Sequence, residues 1–113
     1  MHAAFVVEAE LALDEGFDPA AVGAAVTTDL CGHWEHDGPC RWPHNSAIEA
    51  DRDPATFRTL FVADEAEAQQ VRHRVEAVLG DGSGWRLVSL RERAVADAER
   101  PLAERLLSGP RAG

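Results

Sequence analysis

The chain of 113 residues has no lysine, and its 11 basic residues, all arginine, are outnumbered by 20 acidic ones. Because the formal net charge of −9 repels phosphate groups, we expect binding to neither nucleic acid nor an anionic membrane. No apolar run approaches the length of a membrane span, and residues 1–8 lack the basic segment of a secretory signal. These absences predict a cytoplasmic protein, where two cysteines act more often as metal ligands, a redox pair or packing groups than as a structural disulfide.

The sequence also lacks internal repeats and low-complexity linkers. Its apolar fraction of 45% is ordinary for a globular protein, and its length leaves room for one domain that buries a genuine core. We therefore expect residues 1–113 to form a single domain that needs no disulfide for its stability.

Three segments have the composition or the period of well-buried strands. Residues 3–13 alternate between apolar and polar side chains, as a strand with one buried face does. Residues 56–63 are rich in β-branched and aromatic types, and residues 85–90 give a third strand. Residues 45–51 contain only one large apolar side chain, Ile48, which predicts a short strand near a sheet edge.

Helical patterns lie between these strands and after them. Asp18-Pro19 is typical of a helix start, and the helix that follows has a buried stripe with a period of four: Val22, Val26 and Leu30. Asp64 with Glu67 predicts a capping box before a second helix. The buried face predicted for that helix comprises Ala68, Val71, Val75, Val78 and Leu79. A tail helix is predicted near residues 99–108, with Pro101 in its first turns.

The order of these elements predicts an α+β fold, specifically a ferredoxin-like βαββαβ sandwich with an additional C-terminal helix. Such a sandwich has a four-stranded antiparallel sheet with two helices on one face. The other face is open unless the C-terminal helix or a second subunit covers it. The architecture hosts many unrelated functions, so function has to be argued from a site.

Residues 31–44, which we call the Cys/His segment, concentrate the reactive side chains of the chain. The segment contains both cysteines, three of the five histidines and two of the three tryptophans. Gly38, Pro39 and Pro43 make one regular element across it unfavourable, and Asp37-Gly38 is a strong turn dipeptide. We predict a loop or an irregular hairpin.

Sulfur and imidazole are the usual ligands of Zn²⁺, which binds four of them in a tetrahedron. The Cys/His segment offers five such groups: Cys31, His33, His36, Cys40 and His44. The four that fit best are Cys31, His36, Cys40 and His44, and His33 competes for the place of Cys31. This donor set favours zinc over nickel or copper. The spacings match none of the common zinc modules, so the hypothesis of a small cytosolic metal-binding domain depends on the composition of the segment alone.

Several alternatives remain open for the same residues. The sequence leaves open whether Cys31 and Cys40 are free thiols, metal ligands or the two halves of a disulfide. The chain is instead a homodimeric interaction or regulatory module without metal if the open sheet face, Trp34 and Trp42 form a contact surface. It is a small enzyme if His36 with Asp37, or His44 with Glu49, acts as a general base in a polar pocket beside the sheet. A homodimer is expected, and the sequence identifies no small-molecule ligand.

Five arginines predict a basic strip on the sheet: Arg52, Arg58, Arg86, Arg91 and Arg93. Single-stranded RNA modules of this fold class combine such charge with exposed aromatics. The overall acidity of the chain argues against that function.

Overall fold

In the computed structural model of the chain, residues 2–31 and 42–108 are described, except for the side chain of Cys31. The elements follow one another as β1 (His2–Leu13), α1 (Ala20–Cys31), β2 (His44–Glu49), β3 (Ala55–Asp64), α2 (Ala68–Gly80), β4 (Trp85–Arg93), a short 3₁₀ turn (Asp97–Glu99) and α3 (Arg100–Ser108). Within these described ranges, no helix has both the length and the apolar character that a membrane span requires.

The four strands form one antiparallel sheet in the order β2-β3-β1-β4. The predicted α+β class is therefore confirmed, since the described residues form a four-stranded antiparallel sheet and three α-helices. The longest strand, β1, lies between β3 and β4. The strand β2 pairs with β3 only and forms an edge, as its few apolar residues predicted.

The alternation along β1 separates two layers of packing. Val7, Ala9 and Leu11 are buried together with apolar residues of α1 and α2. On the opposite face, Val6 packs with Leu60 of β3 against α3. The sheet is thus covered on one face by α1 and α2, and on part of the other face by the C-terminal helix.

The helices bury the residues that their periodicity predicted. Asp18 Oδ1 accepts a hydrogen bond from Ala20 N (3.0 Å), which stabilises the first turn of α1. The buried residues of the two long helices are Val22, Val26 and Leu30 in α1 and Val71, Val75 and Leu79 in α2. Each fully buried Val or Leu contributes about 1.5–3 kcal/mol to stability, so these stripes account for the position of both helices.

The structure corrects the prediction for the start of α2. The helix begins at Ala68, directly after Glu67, and Asp64 is not its cap. Instead, Asp64 Oδ1 accepts a hydrogen bond from Ala66 N (3.0 Å), so this side chain shapes the turn ahead of the helix. Ala68 and Val78 are only partly buried, unlike the rest of the predicted apolar face.

The last strand is longer than predicted, because β4 stays paired with β1 as far as the Val6–Arg93 pair. A β-bulge interrupts it. Glu10 pairs with Ser89 but Leu11 pairs with Leu87, so Val88 is the extra residue and is 48% exposed.

Candidate functional site

Of the five predicted metal ligands, only His44 has a side chain within the described residues. Cys31 is described by its backbone alone, as the last residue of α1. His33, His36 and Cys40 lie outside the described residues, as does Trp34. The structure therefore describes the two ends of the Cys/His segment: the backbone of Cys31, and residues 42–44.

His44, the first residue of β2, has hydrogen-bond partners at both ring nitrogens. Its Nδ1 lies 3.2 Å from the carbonyl oxygen of Trp42, and its Nε2 lies 3.0 Å from Thr27 Oγ1 in α1. Because a carbonyl only accepts, Nδ1 carries a proton, and in the neutral ring Nε2 then accepts from the threonine hydroxyl. Burial lowers the pKa of His44, although the bond to the Trp42 carbonyl acts in the opposite direction. Burial thus favours the neutral imidazole, which is the form that binds a metal.

Trp42 anchors the same end of the segment in the core. It is only 3% exposed and belongs to the main apolar cluster with Val26 and Leu30. The guanidinium carbon of Arg74 lies 5.1 Å from the centre of its ring, which is a cation–π distance. Trp42 therefore completes the core and is not part of the exposed contact surface that the interaction-module hypothesis required.

Arg74 also fixes the other end of the segment. From α2, its Nε donates to Asp29 Oδ2 (3.1 Å) and its Nη2 donates to the Asp29 carbonyl oxygen (2.9 Å). This carbonyl belongs to the last turn of α1, where an arginine stabilises both the unsatisfied oxygens and the helix dipole. One side chain thus ties the end of α1 to α2 and to Trp42.

These contacts bring the two ends of the Cys/His segment together. Thr27, which contacts the His44 ring, precedes Cys31 by four residues, and one turn of α-helix rises about 5.4 Å. The backbone of Cys31 therefore lies about one helical turn from the contact with His44. Ligation through His44 Nε2 would replace its hydrogen bond to Thr27, because the same lone pair serves both. Within residues 2–31 and 42–108, no three His, Cys, Asp or Glu side chains are grouped as metal ligands would be.

A second feature, which the sequence did not point to, is a polar cleft of about 440 Å³ on the sheet face that α3 leaves uncovered. Its polar lining comes from the strands β1, β3 and β4 and from the β2–β3 turn: Glu8, Glu10, Arg52, Thr56, Ser89 and Arg91. We call it the sheet-face cleft. Two patterns in the sequence bear on it: the alternation of β1 places Glu8 and Glu10 on the face opposite the main core, and the predicted basic strip contains Arg52 and Arg91.

The predicted basic strip is largely neutralised by acids. Glu8 accepts hydrogen bonds from Arg91 (2.7 Å) and Arg93 (3.0 Å). Arg93 also binds both carboxylate oxygens of Glu99 (2.8 and 3.0 Å), and Arg58 Nε lies 3.3 Å from the same carboxylate. Arg91 chiefly lowers the pKa of Glu8, and Arg93 chiefly lowers that of Glu99, to about 2. This face of the sheet therefore carries a mixed network of arginines and carboxylates.

No protein-family model matches this chain, and neither a curated protein nor a solved structure matches it.

Proposed function

We propose that this chain is a small metal-binding domain whose Cys/His segment closes around one zinc ion. Its ligands are Cys31, His36, Cys40 and His44, with His33 as the alternative to Cys31. The observation that supports the proposal best is the 3.0 Å contact between Thr27 and His44, because it brings the ends of the segment close together. A loop with adjacent ends needs less ordering to surround an ion than one with separated ends.

Charge supports a cation at this place. Cys31 is the last residue of α1, and a helix C-terminus carries partial negative charge. The chain as a whole is acidic, which raises the local concentration of cations. When bound, zinc supplies a closed structural centre; His44 brings a neutral imidazole, and Trp42 and Arg74 keep the base of the loop in position.

We infer that the fold is ferredoxin-like. The strand order β2-β3-β1-β4, with α1 and α2 crossing from β1 to β2 and from β3 to β4, supports this assignment. The domain then acts as a scaffold that presents the loop between α1 and β2. The two alternatives, a homodimeric module and a small enzyme that uses the Cys/His segment, stay predictions. The sheet-face cleft lies away from that segment and is not part of either.

The proposal is tested by elemental analysis of protein purified without added chelator. We expect one zinc per chain in the wild type. The double variant Cys40→Ala, His44→Ala should contain none, and so should Cys40→Ser, His36→Ala, which leaves the contact between Thr27 and His44 intact. The matched control, His73→Ala on the exposed side of α2, should retain the full zinc content. Zinc retained by both folded double variants, or missing from the wild type after growth in zinc, would refute the proposal.

A further inference from the structure

We propose that the sheet-face cleft binds a small zwitterion, a molecule that carries an ammonium and a carboxylate at opposite ends. This site is separate from the Cys/His segment. The cleft is lined by Thr56 of β3, whereas His44 pairs with Phe61, five residues further along the same strand. At about 3.3 Å per residue the two places are roughly 17 Å apart.

The walls of the cleft follow from the sheet register. Glu10 is the central member of a row that runs across the open face from Thr56 on β3 to Ser89 on β4. Glu8 and Arg91 form the next row towards α3. The packing of α3 over Val6 and Leu60 closes one end of this surface, and the β2–β3 turn with Arg52 bounds the other. The volume of about 440 Å³ lies within the range of small-molecule sites in proteins.

Two charges in the cleft are not neutralised within the part of the chain that the structure describes. Glu8 is matched by Arg91 and Arg93, but Glu10 receives only the Ser89 hydroxyl, at 3.2 Å. Arg52 has no ion pair with any described residue, although it lines the same cleft as Glu10. The cleft therefore offers one carboxylate and one guanidinium to an incoming ligand.

The balance of charge determines the class of ligand. The four ionised side chains of the lining are Glu8, Glu10, Arg52 and Arg91, so their formal charges cancel. A simple anion is repelled by Glu10 and by the net negative charge of the chain, and a simple cation is repelled by Arg52. A zwitterion satisfies both, with its ammonium on Glu10 and its carboxylate on Arg52, since charge-assisted hydrogen bonds are the strong ones. Thr56 and Ser89 add neutral hydroxyl groups.

The test is an NMR titration of the ¹⁵N-labelled chain with ω-amino acids of increasing length: glycine, β-alanine, 4-aminobutanoate and 6-aminohexanoate. We expect at least one length to shift the amide signals of β1, β3 and β4 around Glu10, Thr56 and Ser89, with saturation. Butylamine and butanoate, which each present one charge, should bind at least tenfold more weakly. Zinc content should be unchanged throughout, which separates this result from that of the metal proposal.

Variants assign the binding to the two charges. Glu10→Gln and Arg52→Gln should each weaken binding about tenfold or more, whereas Glu76→Gln on α2 and Arg105→Gln on α3 should bind as the wild type does. The amide spectrum of each variant reports whether it is folded. The proposal is overturned if no length gives a saturable shift at the cleft. It is also overturned if butylamine or butanoate binds as tightly as the best amino acid, or if both cleft variants bind like the wild type.

Discussion

A single hydroxyl group, that of Thr27, connects the first long helix to the first residue of β2. Its partner His44 is partly buried, and burial lowers the pKa of the imidazole, so water competes less for this hydrogen bond than for one at the surface. The neighbouring Thr28 is exposed. Two adjacent threonines thus have different roles, which no local pattern of the sequence distinguishes.

Replacing Thr27 with Val keeps the shape of the side chain but removes the hydrogen bond to His44. We expect this to lower the free energy of unfolding by about 1 kcal/mol, the usual net contribution of such a bond. Thr28→Val is the matched control and should change it by less than about 0.5 kcal/mol. Urea denaturation of zinc-free protein measures both, and equal effects of the two substitutions would count against the anchoring role of Thr27.

Gly84 is another residue at which the local geometry limits substitution. It has a φ of +103°, and a Cβ at this position would overlap the ring of Phe17. Gly16 also has a positive φ, of +78°, but no atom lies near the place of its Cβ.

We therefore expect Gly84→Ala to be more destabilising than Gly16→Ala. Backbone strain costs both variants on the order of 1–3 kcal/mol, and Gly84→Ala must in addition displace an aromatic ring from the core edge. Thermal unfolding followed by circular dichroism gives the comparison. Equal melting temperatures would show that Phe17 moves aside without cost.

At the scale of elements, α3 is attached to the sheet by a small apolar contact and an ion network. Its partly buried Leu102 and Leu106 pack towards Val6 and Leu60. Just before the helix, Glu99 binds Arg93 and Arg58. The carboxylate of Glu99 also accepts a hydrogen bond from Ala96 N (3.0 Å), so it stabilises the turn that leads into α3.

This network makes the attachment of α3 sensitive to acid. The pKa of Glu99 is about 2, mainly because Arg93 donates two hydrogen bonds to its carboxylate, against an ordinary value of 4.5. A depressed carboxyl pKa stabilises the fold above the ordinary value, and this contribution is lost as the pH falls towards 2. We expect Glu99→Gln to be about 1 kcal/mol less stable at pH 6 and to lose less stability on acidification.

The measurement is urea denaturation between about pH 6 and pH 3, with hydrogen exchange of the α3 amides as a local probe. Glu104→Gln, an exposed acid on the same helix, is the control. In Glu99→Gln the free energy of unfolding should still decrease somewhat on acidification, because the pKa of Glu8 is also lowered, chiefly by Arg91. A variant with the same pH dependence as the wild type would mean that Glu99 does not hold the helix.

The elements themselves were largely predictable, because their signals are local. The alternation of residues 3–13 predicts a strand with one buried face. The period of four in Val22, Val26 and Leu30 predicts a helix with one buried face. The capping role assigned to Asp64 was wrong, since an aspartate forms an Asx turn as readily as a cap.

The sites were less predictable than the elements. The sheet-face cleft needs Glu10, Thr56 and Ser89, which come from three strands far apart in sequence. Only the register of the sheet brings them together.

At the scale of the molecule, the apolar core, the Arg74–Asp29 ion pair and the Thr27–His44 hydrogen bond fix both ends of the Cys/His segment. Leu30 and Trp42, at the two ends of the segment, are buried in one apolar cluster. If this loop binds zinc, the metal becomes a further link between α1 and β2. The stability of the whole domain then depends on the free zinc concentration.

Zinc should therefore raise the melting temperature of chelator-treated protein, since a ligand that binds only the folded state stabilises it by about 2.7 kcal/mol at one hundred times its Kd. Differential scanning calorimetry with and without zinc measures the shift. The Cys40→Ser, His36→Ala variant should show no shift, and Mg²⁺, which prefers oxygen ligands, should have no effect on the wild type.

The most direct measurement of the central claim is the X-ray absorption spectrum of the zinc-loaded wild-type protein. A site formed by Cys31, His36, Cys40 and His44 gives two sulfur ligands at about 2.3 Å and two nitrogen ligands at about 2.0–2.1 Å. If His33 replaces Cys31, one sulfur remains. A spectrum without any sulfur ligand, or a protein that retains no zinc to be measured, would contradict the account.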